Sequence, residues 1–226
     1  MNLNARRIIG VDESGKGDFF GPLVVASFYA EKSDESRLVE LGVRDSKLIA
    51  DKKLTEIAEL LQYTFPHSIK IYQPQDYNKM HKKIKNLNKM LAQGHAHTIM
   101  DVNDENPADM AVSDKFGKTE LIENALVKIS CDIKLHQMVR GERIIQVAAA
   151  SIIARATYLE EMRKLSHKIG INIPRGASAQ VDEIGRRIAN QLGIEIFDKI
   201  SKTHFKNYEW TLLQCYFLAH GNSNSA

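Results

Sequence analysis

Cysteine is nearly missing from this chain: Cys131 and Cys215 are the only two among 226 residues. Their separation suits neither a disulfide framework nor a zinc-ligand spacing, so free buried thiols in a reducing compartment are expected. No apolar run approaches the ~20 residues of a membrane-spanning helix. The start, Met1-Asn2-Leu3-Asn4-Ala5-Arg6-Arg7, lacks the apolar core of a secretion signal. No membrane partner is therefore expected, and a cytoplasmic placement is. Charge of one sign is scarce too, with 31 Lys plus Arg against 28 Asp plus Glu and a net charge of +3. That excess is too mild to establish a nucleic-acid partner by itself. Repeats, low-complexity tracts and clear linkers are absent. What remains, 43% hydrophobic and 26% charged residues, is ordinary for a soluble globular protein with one substantial core.

Against that background one stretch stands out, Ile8-Ile9-Gly10-Val11-Asp12-Glu13-Ser14-Gly15-Lys16-Gly17-Asp18-Phe19-Phe20-Gly21-Pro22. A β-prone apolar run leads into two adjacent carboxylates, then a glycine turn, then the apolar run Leu23-Val24-Val25-Ala26. Ionised carboxylates at the end of a buried strand are costly unless paired or bound to a cation. Gly15 and Gly17 allow positive φ and a close approach of backbone to ligand. Two readings compete: a hairpin whose acids cap and solvate the turn, and a divalent-metal site gripping a phosphate backbone.

Taken in order, Arg7 to Asp12 and Pro22 to Ala30 read as strands. A helix follows Arg44-Asp45-Ser46-Lys47, with Leu54, Ile57, Leu60 and Leu61 on one face. His67 to Tyr72 is a third strand. Asn86-Leu87-Asn88 opens a helix carrying Leu87, Met90, Leu91, Thr98 and Ile99 at helical spacing. Pro107 to Val112 and Ile133 to Val139 are strands, ending at Ser113-Asp114 and Arg140-Gly141-Glu142. From Val147 the small residues Ala148-Ala149-Ala150-Ser151 begin a helix able to pack closely on a sheet. Further helices run from about Ala179 to Gln191 and from Trp210 to His220, before a frayed polar tail over 221–226. This order indicates one α/β domain with a mixed sheet.

Acids thus fall at the ends of three strands: Asp12 with Glu13, Asp114, and Glu142. If those strands are neighbours, the acids converge, and their repulsion calls for neutralising cations. Oxygen-only sites suit Mg²⁺ or Mn²⁺, and two such ions about 4 Å apart can hydrolyse a phosphodiester. Singly, Asp114 also reads as a helix N-cap and Glu142 as a surface acid beside Arg140 or Arg143.

The segment Asp12 to Pro22 closely resembles the signature of the type 2 ribonucleases H, the HII and HIII families. The resemblance implies an RNase H-like fold: a mixed five-stranded sheet flanked by helices, plus C-terminal helices. It also implies Asp12, Glu13, Asp114 and Glu142 as catalytic metal ligands, with a glutamate in the fourth position being the HIII habit. The interval from Glu142 to Ala148 is slightly shorter than the family pattern. Asp18-Phe19-Phe20-Gly21-Pro22, Asn86-Leu87-Asn88 with Gly94-His95-Ala96, Gly176-Ala177-Ser178 and His204-Phe205-Lys206-Asn207 also resemble HIII. HII enzymes carry Gly-Arg-Gly in the turn and a tyrosine that reads the ribo/deoxyribo junction. Here the turn is Gly15-Lys16-Gly17, and Asn172-Ile173-Pro174-Arg175-Gly176 has no tyrosine. HIII enzymes usually carry an N-terminal domain resembling the TATA-binding protein, which is expected to be lacking here.

The implied activity is two-metal hydrolysis of the RNA strand of RNA/DNA hybrids, leaving 5′-phosphate and 3′-hydroxyl ends. The expected state is a monomer, with one catalytic domain over 1–226. Proteins distinguish RNA through its 2′-hydroxyls, and Ser14, Gly15, Lys16 and Gly17 are the best candidates for that contact. Asp45, Ser46 and Lys47 read either as a helix cap or as substrate contacts. Asn86 and Asn88 likewise cap a helix or donate to phosphates, and the resemblance adds Ser151. Lys82, Lys83 and Lys85 form a solvated face or bind backbone without sequence preference. His95 and His97, two apart on a helix, face apart and do not suit a shared metal. His204 reads as a structural residue or a phosphate contact. Rival readings are an HII-like enzyme acting at single embedded ribonucleotides, a non-catalytic hybrid-binding module, and a DNA-directed metal nuclease or transferase.

Overall fold

The computed structural model describes residues 5–220, with side chains described as far as Leu213. The Cys215 thiol and the polar tail over 221–226 lie outside the described residues. The chain forms two compact units, Met1–Ser14 with Val24–Ile71 and Ile84–Leu159, and Gly15–Leu23 with Tyr72–Lys83 and Glu160–Ala226.

The first unit holds a five-stranded mixed sheet: β1 (Arg7–Ser14), β2 (Leu23–Glu31), β3 (His67–Tyr72), β4 (Met110–Asp114) and β5 (Leu135–Met138), in the order β3-β2-β1-β4-β5. β1 pairs antiparallel with β2 and parallel with β4, and β4 runs parallel to β5. The central strand is β-branched and covered on both faces, as such strands usually are. Ile8, Ile9 and Val11 are all buried, each worth roughly 1.5–3 kcal/mol. Antiparallel pairing continues to Ser14 opposite Val24, so β1 carries both acids inside the strand and not after it.

Helices α1 (Glu35–Glu40), α2 (Asp51–Thr64), α3 (Pro74–Ile84), α4 (Leu87–Glu105), α5 (Glu120–Lys128) and α6 (Ile145–Ile169) follow in chain order. On α2 the buried stripe is Leu54, Ile57, Ala58 and Leu61, whereas Leu60 is exposed. Leu60 falls outside the stripe because the i, i+3, i+4, i+7 positions from Leu54 skip it. Helix α4 reaches the sheet through Thr98, whose hydroxyl accepts from Ser27 Oγ of β2 at 2.8 Å. Helix α6 approaches the other side so closely that a Cβ on Gly10 would lie 2.1 Å from the Gln146 carbonyl carbon. Cys131 is free and buried. Among the described residues no helix is long and apolar enough to cross a membrane.

The second unit contains most of α3, the end of α6, and α7 (Ala179–Leu192), α8 (Phe197–Ile200) and α9 (Lys206–His220). Phe19, Phe20 and Phe197 are fully buried and pack their rings 4.6–6.2 Å apart. Asn78 ties α3 to the chain after α8, donating to Ser201 O at 2.9 Å and accepting from Thr203 N at 3.0 Å.

Asp109 fastens the start of β1 beside the start of β4. Its carboxylate accepts from the backbone N–H groups of Arg6 and Arg7 at 2.9 Å each and from Arg7 Nη2 at 2.7 Å. These hydrogen bonds, those from the Arg7 backbone and side chain foremost, hold the Asp109 carboxyl down to about 2 from its ordinary 3.8. A depressed carboxyl stabilises the fold above the unfolded-state value and loses that contribution as pH falls through the folded one. Asp109→Asn should therefore melt below wild type at neutral pH, the difference shrinking between about pH 4 and pH 2. Thermal melts across that range check it.

Candidate active site

Register brings two of the predicted acids together. In the parallel pair β1/β4, Val11 lies beside Ser113, so Asp12 and Asp114 follow one residue later on adjacent strands. Side chains alternate along a strand, so neighbouring Asp12 and Glu13 leave β1 on opposite faces. Asp12 shares its face with Gly10, the side covered by α6, and a hydroxyl hydrogen bond from Ser151 of that helix favours its carboxylate form. Glu13 turns toward α4, where its Oε2 lies 3.0 Å from His95 Nε2.

His95 is itself buried, and its Nδ1 lies 3.2 Å from Ser113 Oγ. That hydroxyl donates to the Asp114 carbonyl at 2.9 Å. One imidazole thus links Glu13 of β1 to the residue before Asp114 on β4. Gly141 secures Asp114 from the β5 side, its N–H donating to Asp114 Oδ1 at 3.0 Å. A Cβ at Gly141 would lie 2.9 Å from the Asp114 N. Glycine is needed there for close approach. Glu142 is the next residue of that 3₁₀ turn, Gly141–Arg143, and is half-buried.

Burial above all, then the charge of Glu13 and lastly that of Asp114, together push the Asp12 carboxyl up to about 7. The Ser151 hydrogen bond and the Glu13 backbone N–H work in the opposite direction. Among the described residues no three His, Cys, Asp or Glu side chains stand close enough to enclose an ion as placed. The donor set nonetheless suits a hard divalent cation: carboxylate oxygens alone, crowded enough to oppose each other's ionisation. A 2+ charge reverses that penalty.

The expected substrate contacts divide. Ser46 is buried, its Oγ 3.0 Å from Ser151 Oγ, and its carbonyl accepts from Arg155 Nη1. Arg155 also donates from Nη2 to Asp51 Oδ1 at 2.7 Å, tying α6 to the first turn of α2. Asp45 Oδ1 caps its own 3₁₀ turn by accepting from Lys47 N at 3.0 Å, and Lys47 is exposed. Asn86 caps α4, accepting from Lys89 N at 3.0 Å. Asn88 lies against Gly117, its Nδ2 3.1 Å from where a Cβ would be. Ser14 ends β1, half-buried. Gly15, Lys16 and Gly17 belong to the second unit. Gly15 takes φ 86°, Lys16 and Gly17 are exposed, and a Cβ on Gly17 would meet open space.

Residues 9–208 match the profile of the family described as Ribonuclease HII. The Ribonuclease HIII of Chlamydia felis is 41% identical over 212 residues, spanning 92% of this chain and 70% of that protein. The chain belongs to the ribonuclease HII/HIII family. It is a ribonuclease H, and its sheet and helices are the RNase H-like fold. The crystal structure of Bst-RNase HIII in complex with Mn²⁺ matches with a TM-score of 0.88 at 34% identity, over 94% of this chain and 71% of that one. The Aquifex aeolicus RNase H3 structure matches at 0.73 and 28% identity, over 87% and 71%.

His95, Ser113, Gly141 and Arg155 were not among the expected site residues. Gly94-His95-Ala96 carried one legible signal, a histidine between small residues on an apolar helix face. Ser113 and Gly141 depend on strand register and Arg155 on the packing of α6, neither of which sequence spacing reveals.

Two substitutions test this geometry. Asp12→Asn removes a carboxylate that burial and its neighbours oppose, so in EDTA at neutral pH it should melt several degrees above wild type, whereas with Mg²⁺ supplied it should lose hybrid cleavage. Gly141→Ala should displace Asp114, costing about 1–3 kcal/mol in a urea titration and lowering cleavage beyond what the stability loss explains.

Proposed function

We propose that this chain hydrolyses the RNA strand of RNA/DNA hybrids with two divalent cations, Mg²⁺ or Mn²⁺, leaving 5′-phosphate and 3′-hydroxyl ends. Asp12, Glu13, Asp114 and Glu142 would hold the ions. The observation that carries this reading is the pairing of Asp12 and Asp114 on adjacent parallel strand ends, with Asp12 pushed up to about 7 by burial and then by Glu13. The Mn²⁺ complex of Bst-RNase HIII supports the choice of a divalent ion. When bound, such ions supply an activated water and stabilise the leaving oxygen.

The chain's own residues do the rest. His95 orients Glu13, Gly141 N–H orients Asp114, and the Ser151 hydroxyl orients Asp12. Carboxylates held by three different elements need little reorganisation on loading. On the substrate side, the turn Ser14-Gly15-Lys16-Gly17 reads the 2′-hydroxyl strand. Asp45, Ser46, Lys47, Asn86, Asn88 and Ser151 complete the grip. Asp45 and Asn86 do so through the backbone they cap. On this reading both units serve one catalytic domain over 1–226, acting as a monomer in the cytoplasm; the family match over residues 9–208 supports the single domain.

End-labelled duplexes decide the matter. With Mg²⁺, wild type should cut a continuous RNA strand paired to DNA, and Asp114→Asn should fall by at least about a hundredfold, the scale of losing one transition-state charge stabiliser. Cleavage confined to a lone embedded ribonucleotide would move the protein to HII-like action. Binding of hybrid without cutting would leave a non-catalytic module.

A further inference from the structure

The second unit contains an unusual buried cation. Among the described residues Lys202 is the one lysine or arginine that is buried, with an exposure of 0%. Lysine is almost never fully buried unless paired, and an ammonium out of water needs all its donors satisfied. Its partners are backbone carbonyls. Nζ donates to Asp18 O and Gly21 O at 2.8 Å each and lies 3.5 Å from Phe20 O. The Lys202 backbone N–H takes the remaining carbonyl of the run, Phe19 O, at 2.8 Å. All four carbonyls of Asp18-Phe19-Phe20-Gly21 therefore accept from one residue.

Such a bend is neither helix nor strand, since strand carbonyls alternate in direction. It is permitted by Gly21 at φ 80°. The other face of the bend is also tied. Phe19 N donates to Gly176 O and Gly21 N to Ile200 O, both at 2.9 Å, and Asp18 Oδ1 accepts from Gly176 N at 2.6 Å. The Tyr77 ring lies 5.7 Å from Nζ and adds a cation–π contact. Burial lowers the Lys202 amine to about 7, and Asp18 opposes this.

The glycine turn is thus held at both ends. Upstream, Ser14 pairs with Val24. Downstream, Asp18 begins the bend that Lys202 gathers, with no residue intervening after Gly17. A loop held in its bound conformation before the ligand arrives loses less entropy on binding.

We propose that Lys202 is a positioning residue for substrate binding: by drawing the four carbonyls of Asp18 to Gly21 onto itself, it pre-sets the Gly15-Lys16-Gly17 turn that grips the hybrid backbone. This rests on the hybrid-cleaving reading above and assigns Lys202 to affinity, with no part in the chemical step.

The test compares full-length wild type, Lys202→Met and Lys202→Arg, each checked for folding by circular dichroism. Lys202→Met should raise KM for a continuous hybrid about tenfold and weaken hybrid binding in EDTA by the same factor, with kcat within about twofold of wild type. A merely structural lesion would lower the active fraction, and so kcat, and leave KM in place. Lys202→Arg keeps the charge but offers a planar fork to carbonyls that converge on a point, so it should restore only part of the loss. A readout without nucleic acid accompanies these: trypsin should cut after Lys16 several-fold faster in Lys202→Met, followed by intact-mass spectrometry. An unchanged KM or an unchanged rate at Lys16 in a folded variant overturns the proposal. If Lys202→Met does not fold, Lys202→Arg decides by the same two readouts. Wild type that neither binds nor cuts hybrid would instead refute the hybrid-cleaving reading, and the tryptic comparison would still judge the turn.

Discussion

No side chain fits between the central strand and the start of the longest helix. Gly10 is the residue that allows this, because a Cβ there would lie within 2.1–2.3 Å of backbone atoms of Gln146 and Val147. Contact at backbone distance leaves α6 little freedom to slide along β1. The apolar seam that follows, Ile8 with Met110, Val112 and Val147, is the packing consequence of that approach. The chemical consequence lies one turn further on, where Ser151 supplies its hydroxyl to Asp12. The run Ala148-Ala149-Ala150 keeps the helix slim over the distance between.

Much of this was legible in the residues. The β-prone run with two acids at its end is a strand, and the sheet is mixed and five-stranded. The short apolar segments before Asp114 and Glu142 are its neighbours β4 and β5. The helix start at Asn86 could be read from its side chain, because capping is local. For Asp45 and Asn86 the sequence left cap and ligand contact open, and the hydrogen bonds to Lys47 N and Lys89 N show the caps. Helix α3 escaped notice because its buried residues are Pro74, Tyr77 and Asn78, too polar to register as an apolar stripe.

The pieces that hold the acids in place were much less visible. His95 serves Glu13 across 82 positions of sequence, and Gly141 serves Asp114 across 27. The first follows from the packing of α4 against β1, the second from the parallel pairing of β4 with β5. Nothing in local spacing reports a parallel register, because its crossover connections are long and variable. Lys202 is a still plainer case. Only the fold shows it turned inward to a run of carbonyls.

Asp12 and Glu13 are neighbours in the chain, yet they are supported from opposite sides of the sheet, one by a hydroxyl of α6 and the other by an imidazole of α4. Their orientations are consequently separable, although the charge of Glu13 still acts on Asp12. Repacking α4 alters the orientation of Glu13 while leaving the Ser151 contact alone, and a change along α6 does the reverse. A single motif with two independent supports gives evolution, or an engineer, two dials on what looks in the sequence like one dipeptide.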